Sequence, residues 1–325
     1  MIPRVSVIIP TYNCGLYLAS AIESALNQTL PPHEIIVVND GSTDDTTEIA
    51  ARFKGLITYV SQPNSGVSVA RNRALEIASG DFVAMLDADD LAAKTRFKLQ
   101  VEALNREPAA VGCFTGHRLI DIGGTVLSTH LRDTPVADAT SPPDFLTAVR
   151  LLTPDIPLPQ TILFRRSAAQ FARFPVGVKY GEDMLFCAIL RSCGPFIHVA
   201  DPLYDYRVRP GSAAQTQTPL DGFHQRYAWI AANREQYCPD RTLDQIKSEL
   251  LMGLADFTDI QYWTRRREMF LCLRNFLRNN WPPMVPPHVV LGRKWYPEWI
   301  WQTRKGIGVL VRPVRAFTRR LVGKR

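Results

Sequence analysis

Three carboxylates stand within four positions where an apolar run ends: Asp87, Asp89 and Asp90 in FVAMLDADDL, residues 82–91. Carboxylates this close repel one another and raise each other's pKa unless a cation lies among them. An Asp-X-Asp step leaving a strand puts Asp87 and Asp89 on one side of the chain. That spacing suits one hard divalent ion, Mn2+ or Mg2+, whose other ligands are water and phosphate oxygens. The implied partner is a diphosphate, and the plain alternative is a solvated acidic loop. A second acidic pair, Glu182 and Asp183, opens the apolar stretch MLFCAIL, residues 184–190. Acids in a first helical turn gain about 0.3–1 kcal/mol from the helix dipole, so capping is the plain reading of this pair. Arg71, in PNSGVSVARNRAL (63–75), either meets a phosphate or lies on a helix surface.

The elements that must position these residues are legible in the first third of the chain. RVSVIIP (4–10), EIIVVND (34–40), LITYVS (56–61) and FVAMLD (82–87) are strand-length runs rich in β-branched residues. Between them, 15–28, 43–54 and 66–78 carry apolar residues at helical spacing, such as Leu18, Ile22 and Leu26. Strand and helix in alternation imply right-handed crossovers and a mostly parallel sheet covered on both faces. Ligands of such sheets bind at the carboxyl ends of the strands. Two more strand ends here are polar, PTYNCG after the first strand and NDGSTDDT after the second. The second also reads as a turn with Thr43 as N-cap and Asp44 and Asp45 in the first helical turn. No GxxxxGK[ST] and no GxGxxG follows the first strand, which removes P-loop and dinucleotide readings. The six histidines form no pair at metal-ligand spacing, and His198 fits a structural place in a strand.

Composition bounds the rest. A chain of 325 residues with 46% hydrophobic content can bury a large core. Its six cysteines show no CxxC pair or regular spacing, so a reducing cytosol is expected, without zinc or a disulfide framework. The N-terminus does not read as a secretion signal, and no stretch reaches the roughly 18 apolar residues of a membrane span. The net charge of +7 is concentrated at one end. Residues 291–325 hold ten Lys or Arg against Glu298 alone, leaving 28 basic and 30 acidic residues before them. The body is neutral, and a nucleic-acid partner is not expected.

In order and spacing, VSVIIPTYNCGLYLASAIESALNQTLPPHEIIVVNDGSTDDT, NSGVSVARNRAL and GDFVAMLDADD resemble the family 2 glycosyltransferases with the glycosyltransferase A fold. The likeness resumes at GEDMLFCAILRSCG (181–194) and PLYDYRVRPGSAA (202–214). It implies an α/β fold: a Rossmann-like, mostly parallel mixed sheet flanked by helices; a mainly helical extension is expected beyond the part that the likeness covers. It further implies that Thr11 and Tyr12 line a nucleotide base, that Asp40 hydrogen-bonds it, and that Arg71 borders the nucleotide. By the same likeness Asp87 faces the ribose and the ion, Asp89 ligates the ion, Asp183 is the general base beside Glu182, and Arg207 lies on a loop that closes over the diphosphate. The segment FARFPVGVKYGED (171–183) lacks the Gly-Gly-Phe turn common in relatives, which puts the acceptor side in question.

The expected organisation is a catalytic domain over 1–215, with a nucleotide-sugar half (1–105) and an acceptor half (106–215), then a helical extension over 216–290 and a basic tail over 291–325. The expected reaction is an inverting, metal-dependent transfer from a nucleoside-diphosphate sugar, most often a UDP-sugar, to a glycan or lipid-linked hydroxyl. A catalytically silent sugar-nucleotide binder of the same fold is the alternative. In GIGVLVRPVRAFTRRLVGKR (306–325), Ile307, Leu310, Val314, Phe317 and Leu321 share one helical face and Arg312, Arg315 and Arg319 another. This segment fits either a helix docked on the main domain or one lying on an anionic inner membrane leaflet, which would make the protein cytoplasmic and peripheral. RKWYPEWIWQ (293–302) fits packing, a membrane interface or sugar stacking.

Overall fold

The computed structural model describes residues 3–131, 144–152, 158–210 and 219–251. The chain divides into Met1–Asn280 and Trp281–Arg325. The segments 293–302 and 306–325 and most of the expected extension lie outside the described residues.

In chain order the strands are β1 (Val5–Thr11), β2 (Glu34–Asn39), β3 (Thr58–Ser61), β4 (Phe82–Met85), β5 (Leu91–Ala92), β6 (Gly112–Ile120), β7 (Val126–His130), β8 (Leu163–Arg165) and β9 (Phe196–Arg207). The helices that concern the site are α1 (Gly15–Leu26), α2 (Thr46–Ala51), α3 (Val67–Ile77), α4 (Arg96–Arg106), α5 (Phe145–Leu152), α6 (Glu182–Cys193) and α7 (Pro219–Ala232). They surround one mixed sheet of order β3-β2-β1-β4-β8-β6-β9-β5, with β7 added to the outer part of β6.

β1 is buried at every position, as a central parallel strand covered on both faces must be. It pairs in parallel with β2 on one side and β4 on the other, Thr11 against Asn39 and Ile8 against Met85. The chain goes from β1 outward to β2 and β3, then crosses back through α3 to β4. The strand order therefore reverses beside β1, the position at which an open α/β sheet leaves a crevice. Beyond β4 the sheet is mixed: β8 is antiparallel to β4 and β6, whereas β9 runs parallel to β6.

Two local expectations change. α2 begins at Thr46, not near Thr43. Asp44 supplies the start: its Oδ1 accepts the Thr46 N–H at 3.1 Å and the Thr46 hydroxyl at 2.5 Å, and its Oδ2 accepts the Gly15 N–H at 2.9 Å. A carboxylate reaches two helix starts at once, which the Thr43 hydroxyl cannot do. Thr43 instead donates its N–H to Asn13 Oδ1 at 2.8 Å. β4 also ends earlier than 87. The Leu86 N–H still reaches the Ile8 carbonyl, and then the chain turns, with the Asp90 N–H on the Asp87 carbonyl at 3.1 Å. The three aspartates thus lie on a turn, so their directions follow from turn geometry and not from the alternation of a strand.

Candidate active site

That turn separates the carboxylates. Asp90 points into the core, where it is 1% exposed. It accepts the Tyr204 hydroxyl and the Arg207 N–H, each at 2.7 Å, and burial followed by the charges of Asp89 and Asp87 pushes its pKa well up. Tyr204 is held in turn by Arg96, whose guanidinium lies 4.9 Å over its ring and donates to the carbonyls of Gln160 and Ile162. The sequence pattern of three clustered acids therefore resolves into one buried anchor and two outward carboxylates.

Asp87 and Asp89 each meet an arginine. Arg71 Nη2 donates to Asp87 Oδ1 at 3.0 Å, and Arg209 Nε donates to Asp89 Oδ2 at 2.5 Å. Among the described residues, Asp87 Oδ2 and Asp89 Oδ1 have no hydrogen-bond partner. Both charges act on the buried Cys14 thiol, whose pKa is raised to about 11 by burial first, then Asp89, with Asp87 a smaller cause. Two hard carboxylate oxygens with open coordination suit a divalent ion that takes its remaining ligands from phosphate and water. No cluster of three potential metal-ligating side chains occurs among the described residues.

Arg71 is not the surface arginine that its helix position allowed. It is 3% exposed, it lies 5.2 Å from the Phe174 ring centre, and its Nη1 donates to Glu182 Oε1 at 3.0 Å while Nη2 holds Asp87. One guanidinium thus joins the turn after β4 to the start of α6, 111 residues apart in sequence. Glu182 and Asp183 occupy the first turn of α6, as the sequence placed them. Burial, then Asp183, lifts the Glu182 carboxyl to about 7 against the pull of Arg71. Burial is also the first cause of the raised Asp183 pKa, again opposed by Arg71. Asp183 Oδ2 accepts from Gln160 Nε2 at 3.2 Å and Oδ1 from the Met184 N–H at 2.7 Å.

The expected nucleotide end is built by the ends of β1 and β2. Thr11 is 3% exposed and its Oγ1 has no partner, an orphaned polar atom at a strand mouth. Tyr12 is 48% exposed beside it. Asp40 is buried and holds the loop before α3: Oδ1 accepts from Gln62 Nε2 at 2.8 Å and the Ser65 N–H at 2.9 Å, Oδ2 from the Gly66 N–H at 2.8 Å. Arg207 is placed differently from expectation. It ends β9, with its guanidinium donating to the carbonyls of Asp89, Asp121 and Ile122 at 2.8–3.0 Å. β-pairing with Ile120 fixes it there. The arginine that reaches a carboxylate of the turn is Arg209, two residues on, which motif reading passed over because both arginines share YRVRPGS. Gln160 had no sequence signal, and Tyr204 lay in PLYDYRVRPGSAA without being singled out.

The family model described as glycosyl transferase family 2 matches residues 6–168, half of the chain. The putative teichuronic acid biosynthesis glycosyltransferase TuaG of Bacillus subtilis is 40% identical over 130 residues, 38% of this chain and 51% of its own length. Chondroitin synthase of Escherichia coli is 34% identical over 130 residues, 39% of this chain and 19% of its own length. The chain thus spans from about a fifth to about half of these relatives. Among solved structures, Staphylococcus aureus TarS 1-349 in complex with UDP-GlcNAc superposes with a TM-score of 0.59 at 21% identity, over 83% of this chain and 79% of that one. A mannosyltransferase from Pyrobaculum calidifontis in complex with GDP-Man and Mn2+ gives 0.53 at 18% identity, over 93% and 84%. At these identities the likeness is one of fold.

Proposed function

Because this chain belongs to glycosyl transferase family 2, we propose that it moves a sugar from a nucleoside-diphosphate sugar to a hydroxyl of a growing surface glycan or lipid-linked acceptor, with inversion. The observation that carries the reading is the Arg71 bridge, which ties the strand-end carboxylate Asp87 to the acidic pair at the head of α6. A donor lying along the ends of β1, β2 and β4 then has its anomeric carbon toward Asp183.

In this arrangement Thr11 and Tyr12 border the base, and the Asp40-held loop 62–66 closes its edge. A uracil fits this reading, and a TarS complex holds UDP-GlcNAc, although a mannosyltransferase of the same fold holds GDP-Man. Asp87 and Asp89 would hold Mn2+ or Mg2+, which supplies Lewis-acid stabilisation of the departing diphosphate. Asp183 takes the proton of the acceptor hydroxyl, because a hydroxyl attacks poorly until a base within hydrogen-bond reach removes it. Its burial keeps it basic enough for that task, and Gln160 fixes one of its oxygens. Glu182 stays on Arg71 and positions Asp183. Attack by the activated hydroxyl on the face opposite the leaving diphosphate forms the new glycosidic bond as the old one breaks, which inverts the anomeric centre.

Two substitutions test the assignment together. Asp183→Asn should leave UDP binding unchanged and lower transfer by about 10²- to 10⁴-fold, the usual contribution of a general base. Asp89→Asn should remove Mn2+-dependent donor hydrolysis without unfolding the chain. A wild-type protein that binds UDP-sugars and turns over none of them would instead be a binding partner.

A further inference from the structure

Arg226 lies on α7, outside the residues that the family model matches. It is 6% exposed and forms no hydrogen bond or ion pair among the described residues. Its Nε is sealed from solvent without a partner. A polar atom sealed in this way without a partner calls for a ligand or a water.

Its surroundings show where such a ligand would sit. Nη1 lies where a side chain on Gly181 would begin, 2.8 Å from the position a Cβ would take, and equally close to that of Gly222. Gly181 has φ +82°, so that position is open only to glycine in two respects. The next residues are Glu182 and Asp183. One position before Arg226, Gln225 Oε1 accepts the Lys179 N–H at 2.6 Å, so consecutive side chains of α7 clamp the segment leading into α6. Asp183 is close enough for its charge to act on Arg226, after Tyr180, yet its hydrogen bonds among the described residues are to Gln160 and the Met184 N–H. Burial lowers the Arg226 pKa only to about 10, so it is a cation at neutral pH.

We propose that Arg226 is the anion subsite for the acceptor: it receives a phosphate or carboxylate group of the acceptor chain and so brings the neighbouring hydroxyl to Asp183. This deepens the transferase reading and rests on it for the role of Asp183. Selection for anionic acceptors then resides in α7, and neutral glycans of the same shape bind more weakly because the guanidinium stays unpaired.

The test uses the full chain saturated with UDP, so that the diphosphate region is filled. Titration calorimetry with sn-glycerol 3-phosphate and with methyl glucuronide separates a phosphodiester-linked acceptor from a uronate, and glycerol and methyl glucoside are the neutral controls. At least one anion should bind where its neutral counterpart does not. Arg226→Gln should weaken that binding about tenfold or more, the worth of a charge-assisted hydrogen bond, with UDP affinity unchanged. Arg226→Lys should keep part of it. Arg226→Met should melt no lower than the wild type, since it removes a charge that the fold leaves unpaired; a purely structural arginine would instead show a melting temperature several degrees lower. Failure of both anions to bind the UDP-loaded wild type, or equal binding by Arg226→Gln, overturns the subsite alone. Failure of UDP itself to bind overturns the donor reading, which the anion titration without nucleotide leaves separately measurable.

Discussion

Removing Arg71 would strand two carboxylates, because Asp87 and Glu182 are both mostly buried and share its guanidinium. Breaking a buried pair by deleting one partner costs about 3–5 kcal/mol. Arg71→Met should lower stability by about that much in urea denaturation at pH 8. The loss should shrink at pH 5, where Glu182, lifted to about 7, is neutral. An equal loss at both pH values would mean that Glu182 is not shifted. The raised Asp183 pKa sets the pH dependence of the reaction. A general base works deprotonated and the Asp183 carboxyl is raised by burial, so the transfer rate should rise with pH along an acid limb above the ordinary aspartate value of 3.8. Stability runs the other way. A carboxyl whose folded pKa is raised favours the fold fully below its unfolded pKa, and that contribution is lost as pH rises through the folded value. Between about pH 4.5 and 7 the Glu182 contribution to stability should therefore decline, read from melting temperature on one buffer series. An acid limb lying below 3.8 would place the base elsewhere.

At the scale of elements, the site depends on how closely β4 is seated against β1. Gly80, just before β4, donates its N–H to Ser6 Oγ at 2.9 Å. A Cβ there would fall 2.8 Å from both the Arg4 carbonyl oxygen and the Ser6 nitrogen, which are backbone and cannot rotate away. Gly80→Ala must push the two strands apart, at about 1–3 kcal/mol for overpacking. Because Asp87 follows β4 directly, the displacement reaches the carboxylate turn, and UDP binding in the presence of Mn2+ should weaken along with thermal stability. A variant as stable as the wild type would show that this edge of the sheet is slack. Asp44 works in a similar way at the other strand ends: one carboxylate holds the starts of α1 and α2, so the loops after β1 and β2 are fixed relative to each other. Gly66, at φ +92°, lets the loop before α3 bend back so that two of its N–H groups reach Asp40.

For the molecule as a whole, charge is the dominant asymmetry. No helix among the described residues is long and apolar enough to cross a membrane. The ten basic residues of 291–325 nevertheless give the C-terminal end a strong positive charge against a neutral body. We propose that this tail meets an anionic leaflet, where each basic group is worth about 1 kcal/mol and several together would hold the chain at the surface. Co-sedimentation with vesicles should require anionic lipid and weaken with salt, and truncation after residue 290 should abolish it while donor hydrolysis survives. Binding indifferent to lipid charge and salt would dismiss the electrostatic account.

The first third of this chain could be read directly because its information is local. Runs rich in β-branched residues such as Val5–Thr11 fit a strand buried on both faces, and the polar strand ends Thr11, Asp40 and Asp87 then point to the carboxyl end of the sheet as the side to search for a ligand. The acidic pair at 182–183 was equally visible, as the head of an apolar helix. What sequence order does not encode is which distant side chain will neutralise a given charge. Arg71 meeting Glu182, Tyr204 drawing Asp90 inward, Arg209 rather than Arg207 reaching the Asp89 carboxylate, and Arg226 arriving beside Gly181 all depend on contacts between residues tens to more than a hundred positions apart. Those contacts are decided by sheet order and helix packing, since a charge in a low-dielectric interior takes whichever partner the fold brings within hydrogen-bond distance.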